Sequence, residues 1–188
     1  MESTLSINEP HPLIRAFVAI LLPEPAQSVL ANYLKTLRPL AKLKWVKETQ
    51  LHITLRFIGE QPKSTILQVK TALQAISFSP FEIELSKIGA YPAPTYPRVL
   101  WLAGRNNLKE LNDLAEKVNS TLEDILPREK RPFKAHLTLA RTHGAPLPEE
   151  LLQKLQHPPL LSFTCQSFAL MQSTLTPNGP LYTKIPLS

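Results

Sequence analysis

Two short segments of this chain share one alternation of polar and apolar residues. Residues 52–55 read His-Ile-Thr-Leu, and residues 136–139 read His-Leu-Thr-Leu. Successive side chains of a β-strand point to opposite faces, so the His and the Thr of each segment share one face. The pattern therefore predicts two strands, each presenting an imidazole and a hydroxyl on the same side.

The remaining hydrophobic pattern predicts helices and strands along the whole chain. Apolar residues at helical spacing indicate four helices, near residues 25–37, 62–76, 107–125 and 147–156. Alternating or continuous apolar runs indicate further strands near residues 17–22, 43–46, 81–85, 98–102, 162–171 and 181–185. The first motif strand is expected to end at Gly59, where the apolar run stops.

Each motif strand follows a strand and a helix in its own half of the chain, which suggests a loose duplication. We therefore predict a single bilobal domain over residues 1–188 with an α+β fold. Its two pseudo-symmetric lobes are expected to be mainly antiparallel sheet, with helices on the outside and a central cleft. Trp45, Trp101 and Tyr182 are expected in the core.

Composition narrows the class of protein. With 43% hydrophobic and 19% charged residues, the 188-residue chain has ordinary globular composition, and its net charge of +6 favours an anionic partner such as nucleic acid. The single cysteine, Cys165, excludes an intrachain disulfide and fits the reducing cytoplasm, where we expect the protein. The apolar run at residues 17–22 is too short for a membrane helix, so we expect no membrane association.

Two imidazoles and two hydroxyls in one cleft suit acid–base catalysis at a cyclic phosphodiester. Opening a 2′,3′-cyclic phosphate requires a base for the attacking water and an acid for the departing ribose oxygen, and histidine, with a pKa of about 6.5, can serve as either. Thr54 and Thr138 would donate hydrogen bonds to the non-bridging oxygens. Each histidine could instead be a structural residue bonded to backbone carbonyls. A metal site is a further alternative, but neither motif strand supplies a third ligand, so we expect none.

Beyond the motifs, the sequence resembles the two-histidine (2H) phosphoesterases and, within them, the RNA 2′,3′-cyclic phosphodiesterase or 2′-5′ RNA ligase family. The resemblance extends over residues 15–20, 45–46, 51–60, 98–102, 133–141 and 173–182. It implies hydrolysis of a 2′,3′-cyclic phosphate at an RNA or oligonucleotide end to a 2′-phosphate, without metal or cofactor. It also implies reverse 2′-5′ RNA ligation, in which a 2′,3′-cyclic end is joined to a 5′-hydroxyl. We expect the protein to be a monomer.

The resemblance also implies roles for individual residues. His52 corresponds to the proton donor to the leaving oxygen, His136 to the proton acceptor from water, and Arg141 to a phosphate-binding residue. Simple alternation puts Arg141 on the face opposite His136, so its role requires a bulge or a strand end. Phe57 corresponds to a position suited to base stacking, although alternation directs it toward the core. Arg56 replaces the small residue usual in relatives, and in a regular strand it shares the face of His52, as a cation of the cleft or a solvated strand-end residue.

Two other functions are compatible with the sequence. A phosphodiesterase for a small cyclic or 2′-5′-linked nucleotide would use the same residues. A non-catalytic RNA-binding module on the same fold has no need for a paired acid and base, so the intact motifs count against it.

Overall fold

A computed structural model describes residues 12–104, 108–177 and 179–187, and most of the predicted elements are present. The helices are α1 (Glu24–Leu37), α2 (Lys63–Gln74), α3 (Lys109–Thr121) and α4 (Glu149–Leu155). The strands are β1 (Ile14–Leu21), β2 (Lys44–Trp45), β3 (His52–Gln61), β4 (Phe81–Tyr91), β5 (Val99–Gly104), β6 (His136–Arg141), β7 (Leu161–Cys165), β8 (Ala169–Thr176) and β9 (Gly179–Ile185). The two motifs thus begin strands β3 and β6.

These nine strands form one sheet in which every pairing is antiparallel. The order is β7-β4-β5-β6-β3-β1-β8-β9, and β2 pairs with the end of β6. The motif strands β3 and β6 are central neighbours, yet within the described residues they share a single residue pair, Ile53 with Leu137. The sheet therefore has two halves that meet at the motif strands: a first lobe (β3, β1, β8, β9) and a second lobe (β6, β5, β4, β7). The predicted α+β fold with two lobes of antiparallel sheet is confirmed.

Both lobes are built by the same connection. In the first lobe β1 leads through α1 to its neighbour β3, and in the second lobe β5 leads through α3 to its neighbour β6. The next strands outward, β8 and β4, also correspond, because each pairs with the strand beside a motif strand. The two motifs therefore occupy equivalent places on either side of the centre of the sheet.

The helices cover one face of the sheet and leave the motif face open. Strand β1 shows the division, because its apolar side chains alternate between two separate clusters. Ala16, Val18 and Ile20 pack into the large core that contains buried residues of all four helices. Phe17 and Ala19 instead form a small cluster on the other face, together with Ala169 and Met171. The motif histidines and threonines lie on this second, more open face.

Two local predictions about strands were wrong. Residues 162–171 form two strands, β7 and β8, which belong to different lobes. Both are apolar because both contribute to the core, so the hydrophobic pattern does not mark the break between them. Gly59 does not end β3, which continues to Gln61, because its φ of +76°, a conformation that glycine tolerates, lets the strand pass through an irregular step.

Candidate active site

The backbone just before each motif holds the two histidines in the same way. Nδ1 of His52 lies 2.6 Å from the carbonyl oxygen of Gln50, and Nδ1 of His136 lies 2.7 Å from that of Lys134. A carbonyl oxygen can only accept, so Nδ1 carries the proton in both rings. The carbonyl contacts of a structural histidine are therefore present, but they leave Nε2 of each ring available to accept or donate a proton.

The register of the central strands places the two imidazoles on the same face of the sheet. Ile53 pairs with Leu137, and the histidines directly precede these residues. His52 and His136 therefore lie on neighbouring strands, on the face opposite this buried pair. Thr54 and Thr138 follow on the same face of their strands. The predicted assembly of two imidazoles and two hydroxyls on one face of the central strands is thus present.

The pKa of His52 lies below the ordinary value for histidine. Burial is the main cause, because it disfavours the charged imidazolium; the hydrogen bond to Gln50 acts in the opposite direction, and the positive charges of His136 and Arg141 lower the pKa further. The free site therefore favours a neutral His52 at neutral pH.

Each motif strand contains a β-bulge three residues after its histidine. The pairing of β3 with β1 passes over Leu55, and the pairing of β6 with β5 passes over Leu139. A bulge inserts one extra residue and so reverses the alternation beyond it. The residues two positions past the bulges, Phe57 and Arg141, therefore return to the face of the histidines.

These bulges determine on which face of the sheet Phe57 and Arg141 lie, a question that the sequence left open. Phe57 is 60% exposed on the cleft face, with its ring centroid 6.5 Å from that of Phe17, so the expectation that it points to the core was wrong. Arg141 is exposed on the face of His136, and the bulge that its phosphate-binding role requires is present. The contacts of both residues with substrate stay predictions.

The predicted position of Arg56 in the cleft was wrong. The bulge at Leu55 turns Arg56 to the helical face, where it is only 3% exposed. Its guanidinium donates hydrogen bonds to three carbonyl oxygens near the end of α3, those of Asn119 (2.8 Å), Leu126 (3.3 Å) and Pro127 (2.8 Å). Arg56 therefore joins the first motif strand to the chain segment that leads into the second.

Aromatic rings border both histidines. The ring centroid of His52 lies 4.9 Å from that of Phe17 and 5.4 Å from that of Tyr182. In the second lobe, Trp101 lies edge-on to His136 at 6.5 Å. The expectation that Trp101 is a core residue was wrong, because it lies half-buried on the cleft face, whereas Tyr182 packs against the small cluster that contains Phe17. The role of Phe17 as a neighbour of His52 was not predicted, and its position in the strand beside the motif is the signal that could have found it.

Other candidate chemistry is limited in the described part of the chain. No group of three or more His, Cys, Asp or Glu side chains there is placed to bind a metal ion. Cys165 is buried, and burial raises the pKa of its thiol to about 11, so it remains protonated at neutral pH. None of the helices in the described ranges is both long and apolar enough to cross a membrane.

Two imidazoles whose Nε2 atoms have no hydrogen-bond partner among the described residues lie beside two hydroxyls and an arginine, at the junction of two similar lobes. This arrangement indicates a phosphoesterase of the two-histidine class. Comparison with known proteins agrees. The sequence matches the family described as LigT like Phosphoesterase over residues 20–101 and 104–182. A curated RNA 2′,3′-cyclic phosphodiesterase of Archaeoglobus fulgidus is 34% identical over 170 residues, which cover 90% of this chain and 96% of that protein. The chain therefore belongs to the LigT-like phosphoesterase family, as the sequence resemblance predicts.

Solved structures give the same picture. A crystal structure of a Thermus thermophilus protein superposes with a TM-score of 0.73 at 32% identity, covering 92% of this chain and 95% of that one. The apo form of Escherichia coli LigT superposes with a TM-score of 0.74 at 24% identity, covering 93% and 96%, and supports the fold alone.

Proposed function

We propose that this protein hydrolyses the 2′,3′-cyclic phosphate at an RNA or oligonucleotide end to a 2′-phosphate, without a metal or cofactor. The matched pair of imidazoles carries the proposal, since each has Nδ1 bonded to a backbone carbonyl and Nε2 free on the cleft face. Relatives named RNA 2′,3′-cyclic phosphodiesterase support the choice of substrate.

The site residues can carry each step of this reaction. Water attacks phosphorus and gives up a proton to Nε2 of His136, while Nε2 of protonated His52 donates a proton to the departing 3′ oxygen. The bond from phosphorus to that oxygen breaks, which leaves a 3′-hydroxyl and a 2′-phosphate. Thr54, Thr138 and Arg141 hold the non-bridging oxygens, where negative charge grows in the transition state. A 5′-hydroxyl that attacks phosphorus in place of water would break the same bond to the 3′ oxygen and give a 2′-5′ linkage with a free 3′-hydroxyl.

The assignment of acid and base follows the family resemblance, and the free site alone does not favour it. A general acid must be protonated before the reaction, whereas burial lowers the pKa of His52. In this mechanism the anionic phosphate, bound between the rings, raises that pKa again.

An aryl phosphodiester tests the two roles, because a 4-nitrophenolate leaving group needs no proton. His52→Ala should lose much less activity on this substrate than on a cyclic phosphate, and His136→Ala should lose activity equally on both. The opposite result would exchange the roles.

Phosphorus NMR tests the reaction itself. The protein is incubated with a chelator and an oligoribonucleotide that ends in a 2′,3′-cyclic phosphate, with an oligonucleotide ending in a 3′-phosphate as the control substrate. We expect a 2′-phosphate from the first and no change in the second. A 3′-phosphate product would reverse the bond assignment, loss of turnover with chelator would contradict metal-free hydrolysis, and no turnover under any condition would favour a binding module.

We further propose that the enzyme acts as a cytoplasmic monomer formed by one domain over residues 1–188. The motif histidines and threonines of both lobes lie on one chain, which supports a monomer. Light scattering coupled to size exclusion should give a mass near 21.1 kDa, and a stable dimer would contradict the monomer.

A further inference from the structure

A row of side chains on the cleft face runs from the short strand β2 across β6, β5 and β4 of the second lobe, with one residue from each of these four strands. Lys44 of β2 pairs with Arg141 of β6, Arg141 with Val99 of β5, and Val99 with Tyr91 of β4. Directly paired residues of antiparallel strands share a face, so all four lie on the face of His136. We call these residues the second-lobe row. Because neighbouring strands are about 4.8 Å apart, the row extends over about 14 Å.

The two cations of this row have no counter-ion among the described residues. Lys44 and Arg141 are both exposed, and neither takes part in an ion pair there. Glu48, the acidic residue nearest to Lys44 in the sequence, is paired with Arg38 at 2.8 Å. Like charges directly opposite each other destabilise a sheet, and an anion bound between them removes this cost. The pair is therefore suited to bind an anion in addition to the reacting phosphate.

Tyr91 places an exposed ring at the far end of the row. Its side chain is 67% exposed, although its backbone is fixed by the pairing with Val99 and by a 2.7 Å hydrogen bond from the N–H of Arg98. An aromatic face on a rigid strand end is suited to stacking against a nucleic-acid base. Cations and a stacking ring thus follow one line outward from the catalytic centre.

The equivalent row of the first lobe has a different character. It consists of Phe57, Phe17, Met171 and Lys184, one from each strand. We call these four residues the first-lobe row. Because β3 and β6 run antiparallel, the first-lobe row and the second-lobe row lie toward opposite ends of the cleft. The first-lobe row is apolar beside the motif, and its one lysine lies on the edge strand. It is therefore suited to pack against the base of the terminal nucleotide. The second-lobe row, cationic beside the motif, is suited to the sugar–phosphate chain.

We propose that the second-lobe row binds the nucleotide that precedes the cyclic end. Lys44 binds the phosphodiester that joins this nucleotide to the terminal one, and Tyr91 stacks on its base. The proposal rests on the proposed function and narrows its substrate class to an oligoribonucleotide of two or more residues, in preference to a cyclic mononucleotide.

The test compares kcat/KM for a dinucleotide and a mononucleotide, both ending in a 2′,3′-cyclic phosphate. The wild type should prefer the dinucleotide. Tyr91→Ala should lower this preference about tenfold, since that is the order of one lost base stack, while Tyr91→Phe retains it. Lys44→Ala should also lower the preference and should reduce the salt dependence of dinucleotide kcat/KM by about 0.7 in the log–log slope. Lys184→Ala, from the other row, is the matched control and should leave the preference unchanged.

Each other outcome contradicts a defined part of the proposal. Equal losses on both substrates would assign Lys44 or Tyr91 to the terminal nucleotide, and a lost preference in Lys184→Ala alone would place the chain on the first lobe. A wild type that prefers neither substrate would overturn the subsite and leave the proposed function intact. If neither substrate is hydrolysed, the proposed function fails, and the subsite is judged by whether Lys44→Ala and Tyr91→Ala weaken binding of a fluorescent oligoribonucleotide.

Discussion

Replacing Arg56 by leucine tests whether this buried arginine stabilises the junction of the two lobes. Its guanidinium donates three hydrogen bonds to carbonyl oxygens near the end of α3, and it is 3% exposed. A hydrogen bond to a charged group contributes about 1.5–3 kcal/mol net. The leucine variant also avoids the cost of burying a charge, which offsets part of the loss. We therefore expect the free energy of unfolding to fall by about 3 kcal/mol, which lowers the Tm of a domain of this size by about 6–12 °C.

The same substitution should reduce activity beyond any loss of folded protein. The motif strands share only the pair Ile53 with Leu137 in the described part of the chain, so the contacts of Arg56 are a main link between β3 and the segment leading to His136. Displacing one imidazole by about 1 Å can cost up to about 100-fold in rate. We expect kcat to fall by about tenfold or more at a temperature where the variant is fully folded.

Thermal and urea denaturation, followed by circular dichroism, measure the change in stability. The Tm of Arg56→Lys should lie between those of the wild type and the leucine variant, because an ammonium group reaches fewer of the three carbonyls. Arg131→Leu is the control, since that side chain is 84% exposed and its replacement should change Tm little. An Arg56→Leu variant that melts within about 2 °C of the wild type would refute the reasoning, because that shift corresponds to less than about 1 kcal/mol.

Three further predictions concern the site. Because the pKa of His52 is lowered in the folded protein, the unfolded chain binds more protons than the folded chain as the pH falls through about 6.5. The stability that His52 contributes is therefore present above that pH and is lost below it. Tm should therefore decrease between about pH 7.5 and 5.5, and His52→Gln should make this decrease smaller; an unchanged slope would contradict the shift. Thr54→Val should lower kcat/KM by about ten- to a thousandfold while leaving Tm within a few degrees, as one hydrogen bond to the phosphate is lost. Gly89→Ala should lower both Tm and kcat, because a Cβ there overlaps the ring of Trp101, which borders His136; wild-type values for both would show that the ring adapts freely.

The sequence predicted the catalytic face because strand alternation is a local property. His52 and Thr54 share a face whatever the strand pairs with, and the same holds for His136 and Thr138. Helix spacing was equally informative for α1 and α3, whose apolar residues recur along one buried side. The pairing of β3 with β6 was expected only as a cleft between two halves, because no local pattern specifies which strands become neighbours.

The errors about the directions of Arg56 and Phe57 share one physical origin, the register between strands. A bulge depends on the partner strand as much as on its own sequence, and the bulges at Leu55 and Leu139 reverse the alternation that follows them. Arg56 is consequently buried in the core, where the cleft was predicted, and Phe57 is exposed in the cleft, where the core was predicted. An arginine directly after a buried Leu55 gave no sequence signal of burial, because its three carbonyl partners lie more than sixty residues away.

Kinetics of the single and double histidine variants test most directly whether both imidazoles act in one step. On an oligoribonucleotide ending in a 2′,3′-cyclic phosphate, His52→Ala and His136→Ala should each lower kcat by about 10³-fold or more with the fold intact. The double variant should be little worse than either single one, because residues that act as a unit are not additive. Activity within about tenfold of wild type in either single variant, or losses that multiply in the double variant, would contradict the paired mechanism.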